Sequence, residues 1–238
     1  MNVLVTGGSR GIGRAIALRL ARDGAKRVAI GFLRNDKAAA ATAEELRAAG
    51  AEPVLVRGNV SSERVLEQVR ALGSLDVLVH NAATGVVRKA LEATDRHWDW
   101  TLNANARALL ALAKAAAPSM PSGSSIVAIS SLGAARVLDG YALIGTSKAA
   151  LESLVRYLAV ELAPGIRVNA VSAGVVETGA LDHFPNKDEM LRAGRTNPVG
   201  RLVAPDDVAG VVSFLCSADA DMIRGQVLVV DGGFSLLA

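Results

Sequence analysis

Seven short runs of β-branched and apolar residues recur along the chain, and the segments between them carry helical periodicity. The runs are Val3-Leu4-Val5, Val28-Ala29-Ile30, Val54-Leu55-Val56, Val77-Leu78-Val79, Ile126-Val127-Ala128-Ile129, Val168-Asn169-Ala170-Val171 and Val227-Leu228-Val229-Val230. Most are nearly continuous in apolar character rather than alternating, the pattern of strands covered on both faces of a parallel sheet. Apolar residues at three- and four-residue spacing, such as Ile12, Ala15, Ile16 and Leu20, predict helices over about 11–23, 36–49, 62–71, 94–117, 141–163 and 205–216. Gly24, Gly50 and Pro164-Gly165 punctuate helix ends. Strand–helix repetition of this kind predicts an α/β fold, a doubly wound parallel sheet of seven strands flanked by helices, in one domain over 1–238. Only 178–200, between the sixth and seventh runs, breaks the rhythm.

Composition narrows the function classes. Hydrophobic residues at 51% and charged residues at 21% exclude a disordered chain. Two Trp and two Tyr are too few for a reader that stacks nucleic-acid bases on aromatic rings. The net charge of +3 comes without any Lys/Arg-rich run, which also speaks against nucleic acid. A single cysteine, Cys216, rules out an intramolecular disulfide and a Cys-rich metal site, and no metal site is expected. No apolar stretch reaches the ~18 residues of a membrane span, so no membrane partner is expected. Because residues 3–5 already read as a strand, no signal peptide is expected either, and the cytoplasm is the expected compartment.

The first βα turn reads Thr6-Gly7-Gly8-Ser9-Arg10-Gly11-Ile12-Gly13, a Gly-x3-Gly-x-Gly spacing that opens the first helix. Glycines there serve a tight turn, close approach of backbone to a pyrophosphate, and close packing of helix on sheet. The helix N-terminus offers free N–H groups and a positive dipole end to phosphate. A plain glycine-rich turn is the alternative, but in the first βα unit of such a chain a dinucleotide is the better reading. The second strand chooses between dinucleotides. An acid at its end would accept from the adenosine 2′-hydroxyl of NAD, but Ile30-Gly31-Phe32-Leu33-Arg34-Asn35 has none before Asp36. Arg34 and Arg10 are instead placed to face a 2′-phosphate, which favours NADPH over NADH.

These features, with Asn59-Val60, His80-Asn81-Ala82-Ala83, Asn105, Ser130-Ser131, Tyr141 with Lys148, Asn169-Ala170-Val171-Ser172-Ala173-Gly174 and Asp231-Gly232-Gly233, resemble the short-chain dehydrogenase/reductase family over essentially the whole chain. The resemblance implies a Rossmann-like fold and hydride transfer to or from a nicotinamide, with Tyr141, Lys148, Ser131 and Asn105 as the catalytic set. Gly7, Ser9, Arg10, Gly11, Ile12, Gly13, Arg34, Asn59, Val60, Asn81, Ala82, Lys148, Gly174 and Thr178 are the cofactor contacts it implies. Tyr141 would polarise the substrate oxygen, Lys148 hold the nicotinamide ribose, Ser131 bond substrate, and Asn105 anchor a water near Lys148. Relatives of this kind form tetramers through the fourth and fifth helices and the last strand, so a homotetramer is expected.

One departure from the family pattern carries chemistry. The position four residues before the lysine, where most members have tyrosine, is Ile144, and the tyrosine present gives Tyr-x6-Lys. On a continuous helix Tyr141 and Lys148 would share a face, with the tyrosine displaced by about 4.5 Å, three residues of helical rise. In ketone reduction the hydride acceptor and the oxygen are adjacent atoms. In 2-enoyl thioester reduction the hydride enters at carbon 3 and charge gathers on the thioester oxygen two carbons away, which suits a displaced acid. The same spacing, with Gly145-Thr146-Ser147-Lys148 and the later Ala220-Asp221-Met222-Ile223-Arg224-Gly225-Gln226, resembles the bacterial type III enoyl-acyl-carrier-protein reductases that use NADPH. That resemblance implies an acyl thioester on acyl carrier protein, with 178–200 covering the substrate and Leu181, Phe184, Met190 and Leu191 as candidate acyl contacts. His97 and His183 lack metal-ligand spacing. A 3-ketoacyl or other carbonyl reductase of the same family, and a non-catalytic dinucleotide-binding protein, are the competing readings. Retention of Tyr141, Lys148, Ser131 and Asn105 together argues against the latter.

Overall fold

Strands that are apolar on both sides need cover on both faces, and helices supply it. In the computed structural model, which describes residues 1–179, 181, 184 and 186–237, all strand pairs are parallel. Strands β1 (Asn2–Thr6), β2 (Arg27–Phe32), β3 (Glu52–Arg57), β4 (Val77–His80), β5 (Ser124–Ser131), β6 (Ile166–Ala173) and β7 (Val227–Val230) form one sheet. Its order is β3-β2-β1-β4-β5-β6-β7. Every run read from the sequence is one of these strands.

The intervening helices are α1 (Gly11–Arg22), α2 (Asp36–Ala48), α3 (Glu63–Ala71), α4 (Asp95–Leu102), α5 (Ala108–Ala116), α6 (Ala142–Glu161), α7 (Lys187–Gly194) and α8 (Pro205–Cys216). Val3 and Val5 of β1 face a core built with α1 and α8, while Leu4 between them faces a second core built with α3, α5 and α6. This alternation is the two-residue period of a strand placed between two helical layers. The order of strands reverses between β1 and β4, so the crevice at their carboxyl ends is the place where such sheets bind ligands.

Two helical expectations change in detail. The single helix read over 94–117 is α4 and α5 joined by a π-helical turn at Asn103–Arg107. The 178–200 stretch, in which no helix was expected, contains α7. Among the described residues no helix is long and apolar enough to cross a membrane.

Candidate active site

The glycine turn folds as the sequence demands. Gly7 has φ +65°, and a Cβ on Gly13 would fall 2.2 Å from the Gly7 carbonyl oxygen and 2.5 Å from Asn81 Nδ2. Only glycine lets α1 approach β1 and β4 so closely. No side chain caps the N-terminus of α1, so its first N–H groups are left to face the crevice. Asn81 locks the turn, donating through Nδ2 to the carbonyls of Thr6 and Gly7 at 3.1 Å each.

A cleft of about 950 Å³ opens here. Gly7, Ser9, Arg10, Gly11 and Ile12 form one wall, and Arg34, Asn59 and Val60 extend it past β2 and β3. Asn81 and Ala82 lie at the end of β4, and Ser131, Tyr141, Lys148 and Thr178 close the far end. Among the described residues Arg10 and Arg34 have no carboxylate partner. Asp36, the first acid after β2, instead pairs with Arg57 at 3.1 Å, and Asn35 caps α2 by accepting from Ala38 N at 3.0 Å. The glycine turn, the uncapped helix end and two guanidinium groups without a carboxylate partner among the described residues fit a phosphorylated dinucleotide.

Tyr141 is the N-cap of α6 rather than a residue of its first turn, which corrects the two-turn alignment with Lys148 read from the sequence. Its ring lies against Gly133, where a Cβ would come within 2.5 Å of Cδ1, and its hydroxyl donates to Ser131 Oγ at 3.4 Å. The ring of Phe184 is 6.1 Å from that of Tyr141. Burial pushes the Tyr141 phenol above its usual range, and Ser131 offsets part of that rise. Ile144, where the family's tyrosine usually stands, is buried against Gly85.

Lys148 is 5% exposed and donates from Nζ to the Ile129 carbonyl at 2.7 Å. Burial lowers its pKa to about 8, against the opposing charge of Glu152. His80 is held near 4 by burial first and the Lys148 charge second, so it is neutral at pH 7. Its Nε2 faces the Asn105 carbonyl at 2.9 Å and therefore carries the proton, leaving Nδ1 to accept from the Thr6 hydroxyl at 3.2 Å.

Three expected site residues stand outside the cleft wall. Gly13 lies beneath it, behind Gly7. Gly174 packs on Asp231 and Val203, where a Cβ would meet Asp231 Cα at 2.9 Å. The Asn105 side chain is fully engaged: Oδ1 accepts from Thr84 N at 2.8 Å, and Nδ2 donates to Thr84 O at 2.9 Å and Ser147 Oγ at 2.8 Å. Of the candidate acyl contacts, Leu181 and Leu191 are buried in the fold, Met190 is half-buried, and Phe184 faces Tyr141. His97 caps α4 with Thr94, and His183 lies outside the described residues.

Comparison with known proteins places this arrangement. Residues 7–235 match the family model described as enoyl-(acyl carrier protein) reductase. The chain is 38% identical over 244 residues to 1-cyclohexenylcarbonyl-CoA reductase of Streptomyces collinus, covering 99% of this chain and 87% of that one. It belongs to the short-chain dehydrogenase/reductase family. As a member, it is an NAD(P)H-dependent oxidoreductase. A short-chain dehydrogenase of Burkholderia cenocepacia, solved in complex with NADP, superposes with a TM-score of 0.88 at 36% identity, over 98% of this chain and 97% of that one. An angucycline C-6 ketoreductase with bound NADP gives 0.91 at 30% identity, over 99% and 96%.

Within the family frame, sequence reasoning missed Glu152, which accepts from Ser130 Oγ at 2.5 Å, and Glu177 and Trp100, which line the cleft. Glu152 had a usable signal, since it stands one helical turn after Lys148. Glu177 and Trp100 had none, because their place depends on loop paths.

Proposed function

We propose that the protein reduces the 2,3 double bond of an enoyl thioester with NADPH. The observation that carries the reading is the pair of positions on α6: Ile144 is buried against Gly85 where most of the family has its acid, and Tyr141, three residues earlier, supplies the phenol beside Ser131. A relative named as a CoA-ester reductase at 38% identity supports the thioester. Arg10 and Arg34, without carboxylate partners among the described residues, support NADPH over NADH, as do NADP-bound structures of similar proteins.

When bound, the nicotinamide supplies the hydride that enters at carbon 3. Tyr141, a neutral phenol whose pKa burial raises further, would donate to the thioester oxygen, where negative charge gathers, and serve as the acid, the enol so formed tautomerising to leave the proton on carbon 2. With its single O–H turned from Ser131 to the substrate, the Tyr141 oxygen would accept from the neighbouring Ser131 hydroxyl, which orients it. Lys148 uses one of its three donors on Ile129, and the others would be free to hold the ribose hydroxyls. Asn81 and Ala82 would hold the adenine side and Thr178 the nicotinamide end. Asn105 supports this set from behind, through Thr84 and Ser147. The acyl group travels on acyl carrier protein, and the protein acts as a cytoplasmic homotetramer.

Carbonyl reduction is the second reading, favoured by the Tyr141–Ser131 bond and by the ketoreductase neighbour. NADPH oxidation measured in parallel with crotonyl and acetoacetyl thioesters separates the two. Turnover of crotonyl thioester with little of the ketone is expected, and the reverse result overturns the proposal. Arg34→Asp should shrink or reverse the preference for NADPH, read as the ratio of Kd values for NADPH and NADH. Equal affinities in the unaltered protein would count against the cofactor assignment.

A further inference from the structure

Glu152 is not part of the cleft wall, yet it holds the segment that presents two of the reacting groups. It is half-buried on α6, one turn beyond Lys148, and its Oε1 accepts from Ser130 Oγ at 2.5 Å. A hydroxyl–carboxylate bond this short is of the charge-assisted kind. Ser130 sits between Ile129, whose carbonyl takes the Lys148 ammonium at 2.7 Å, and Ser131, whose hydroxyl meets Tyr141. One carboxylate therefore grips the end of β5 at the residue flanked by both contacts. Lys148 and Glu152 make no direct ion pair; each instead bonds the end of β5, Lys148 at Ile129 and Glu152 at Ser130.

The charges around Lys148 make the role of this carboxylate specific. From the end of β4 it faces His80, neutral with its proton on Nε2. From the turn before α6 it faces Tyr141, a neutral phenol. The π-helical turn offers Asn105, a neutral amide already committed to Thr84 and Ser147. Glu177, after β6, lines the same cleft. Glu152, on Lys148's own helix, is the carboxylate whose charge opposes the burial of the ammonium.

We propose that Glu152 is a positioning residue of this site: through Ser130 it fixes the end of β5 that presents Ile129 to Lys148 and Ser131 to Tyr141, and its charge balances the buried ammonium. The inference rests on the reading of the cleft as a nicotinamide site with Lys148 at the ribose, but not on which acceptor is reduced.

NADPH affinity measured by fluorescence titration from pH 6 to 10 tests the charge role without any substrate, and steady-state rates test the positioning role. In the unaltered protein, affinity should fall through a midpoint near 8 as Lys148 loses its proton. Glu152→Gln keeps the shape and an acceptor for Ser130 but removes the charge, and should move that midpoint down by about one pH unit. Ser130→Ala keeps the charge and should leave the midpoint in place while lowering kcat more than it changes KM. Glu152→Asp, which restores charge, should return the midpoint toward that of the unaltered protein, and it carries the test if the glutamine variant does not fold. An unchanged midpoint in Glu152→Gln, or an equal downward shift in Glu152→Asp, overturns the proposal. Failure of the enoyl reading would show separately, as an absence of crotonyl thioester turnover beside intact, pH-dependent NADPH binding.

Discussion

At the scale of single residues, Tyr141 and Lys148 divide the work by charge. A phenol is protonated at neutral pH, the state an acid requires, and burial of Tyr141 raises its pKa further. Tyr141→Phe should lower turnover of a 2-enoyl thioester by ~100-fold or more while NADPH affinity stays nearly intact, as steady-state rates and cofactor titration will show. Lys148 works the other way. Its pKa is lowered to about 8 by burial, so the ammonium is present below that pH and is lost as pH rises through it. The free-enzyme profile of kcat/KM should therefore turn down above pH ~8 and fall about tenfold per unit thereafter. A profile that stays flat to pH 10 would show that the ammonium is not required.

At the scale of elements, the π-helical turn between α4 and α5 explains why Asn105 sits where it does. The extra residue in that turn is braced to the loop after β4 and to α6 by the Asn105 amide, which is fully buried. Asn105→Ala would strand the Thr84 backbone groups and cost about 2–4 kcal/mol, lowering Tm by roughly 5–15 °C in a chain of this size, as calorimetry would measure. The strands and the glycine turn were legible in the sequence because both follow from local pattern: continuous apolar runs for buried parallel strands, and glycines where backbone must touch backbone. The details of the catalytic end were not. Whether Tyr141 lies on α6 or caps it depends on Gly133 and Gly145 letting the ring fold back, a contact between the turn after β5 and the start of α6 that no periodicity announces. Asn105 reads as a site residue because its position fits the family pattern. Its amide is spent on Thr84 and Ser147 only because a π turn, which no periodicity announces, aims it there. Gly174 likewise reads as a cofactor contact but serves the junction of β6 with Asp231.

At the scale of the whole molecule, two surfaces are more apolar than a lone chain in water favours. The outer face of α6 leaves Tyr157 67% and Val160 78% exposed, close to the exposed Ala149 and Arg156. Most alanines of α5, by contrast, are buried against the sheet, so the Ala-rich stretch there is accounted for within the chain. The second surface is the sheet edge, where β7 has a neighbour on one side only, Val229 is 55% exposed and Leu236 is 86% exposed. An open strand edge with apolar side chains invites pairing with another copy. Each surface pairing with its own copy about a two-fold axis would generate a tetramer with two kinds of contact. Light scattering at micromolar concentration should therefore give four times the 24.5 kDa chain mass. Val160→Asp places a charge in the middle of the α6 surface while leaving β7 untouched, so it should yield a dimer rather than a monomer. A monomeric mass for the unaltered protein would mean that both surfaces stay open to water and that the cleft is complete within one chain.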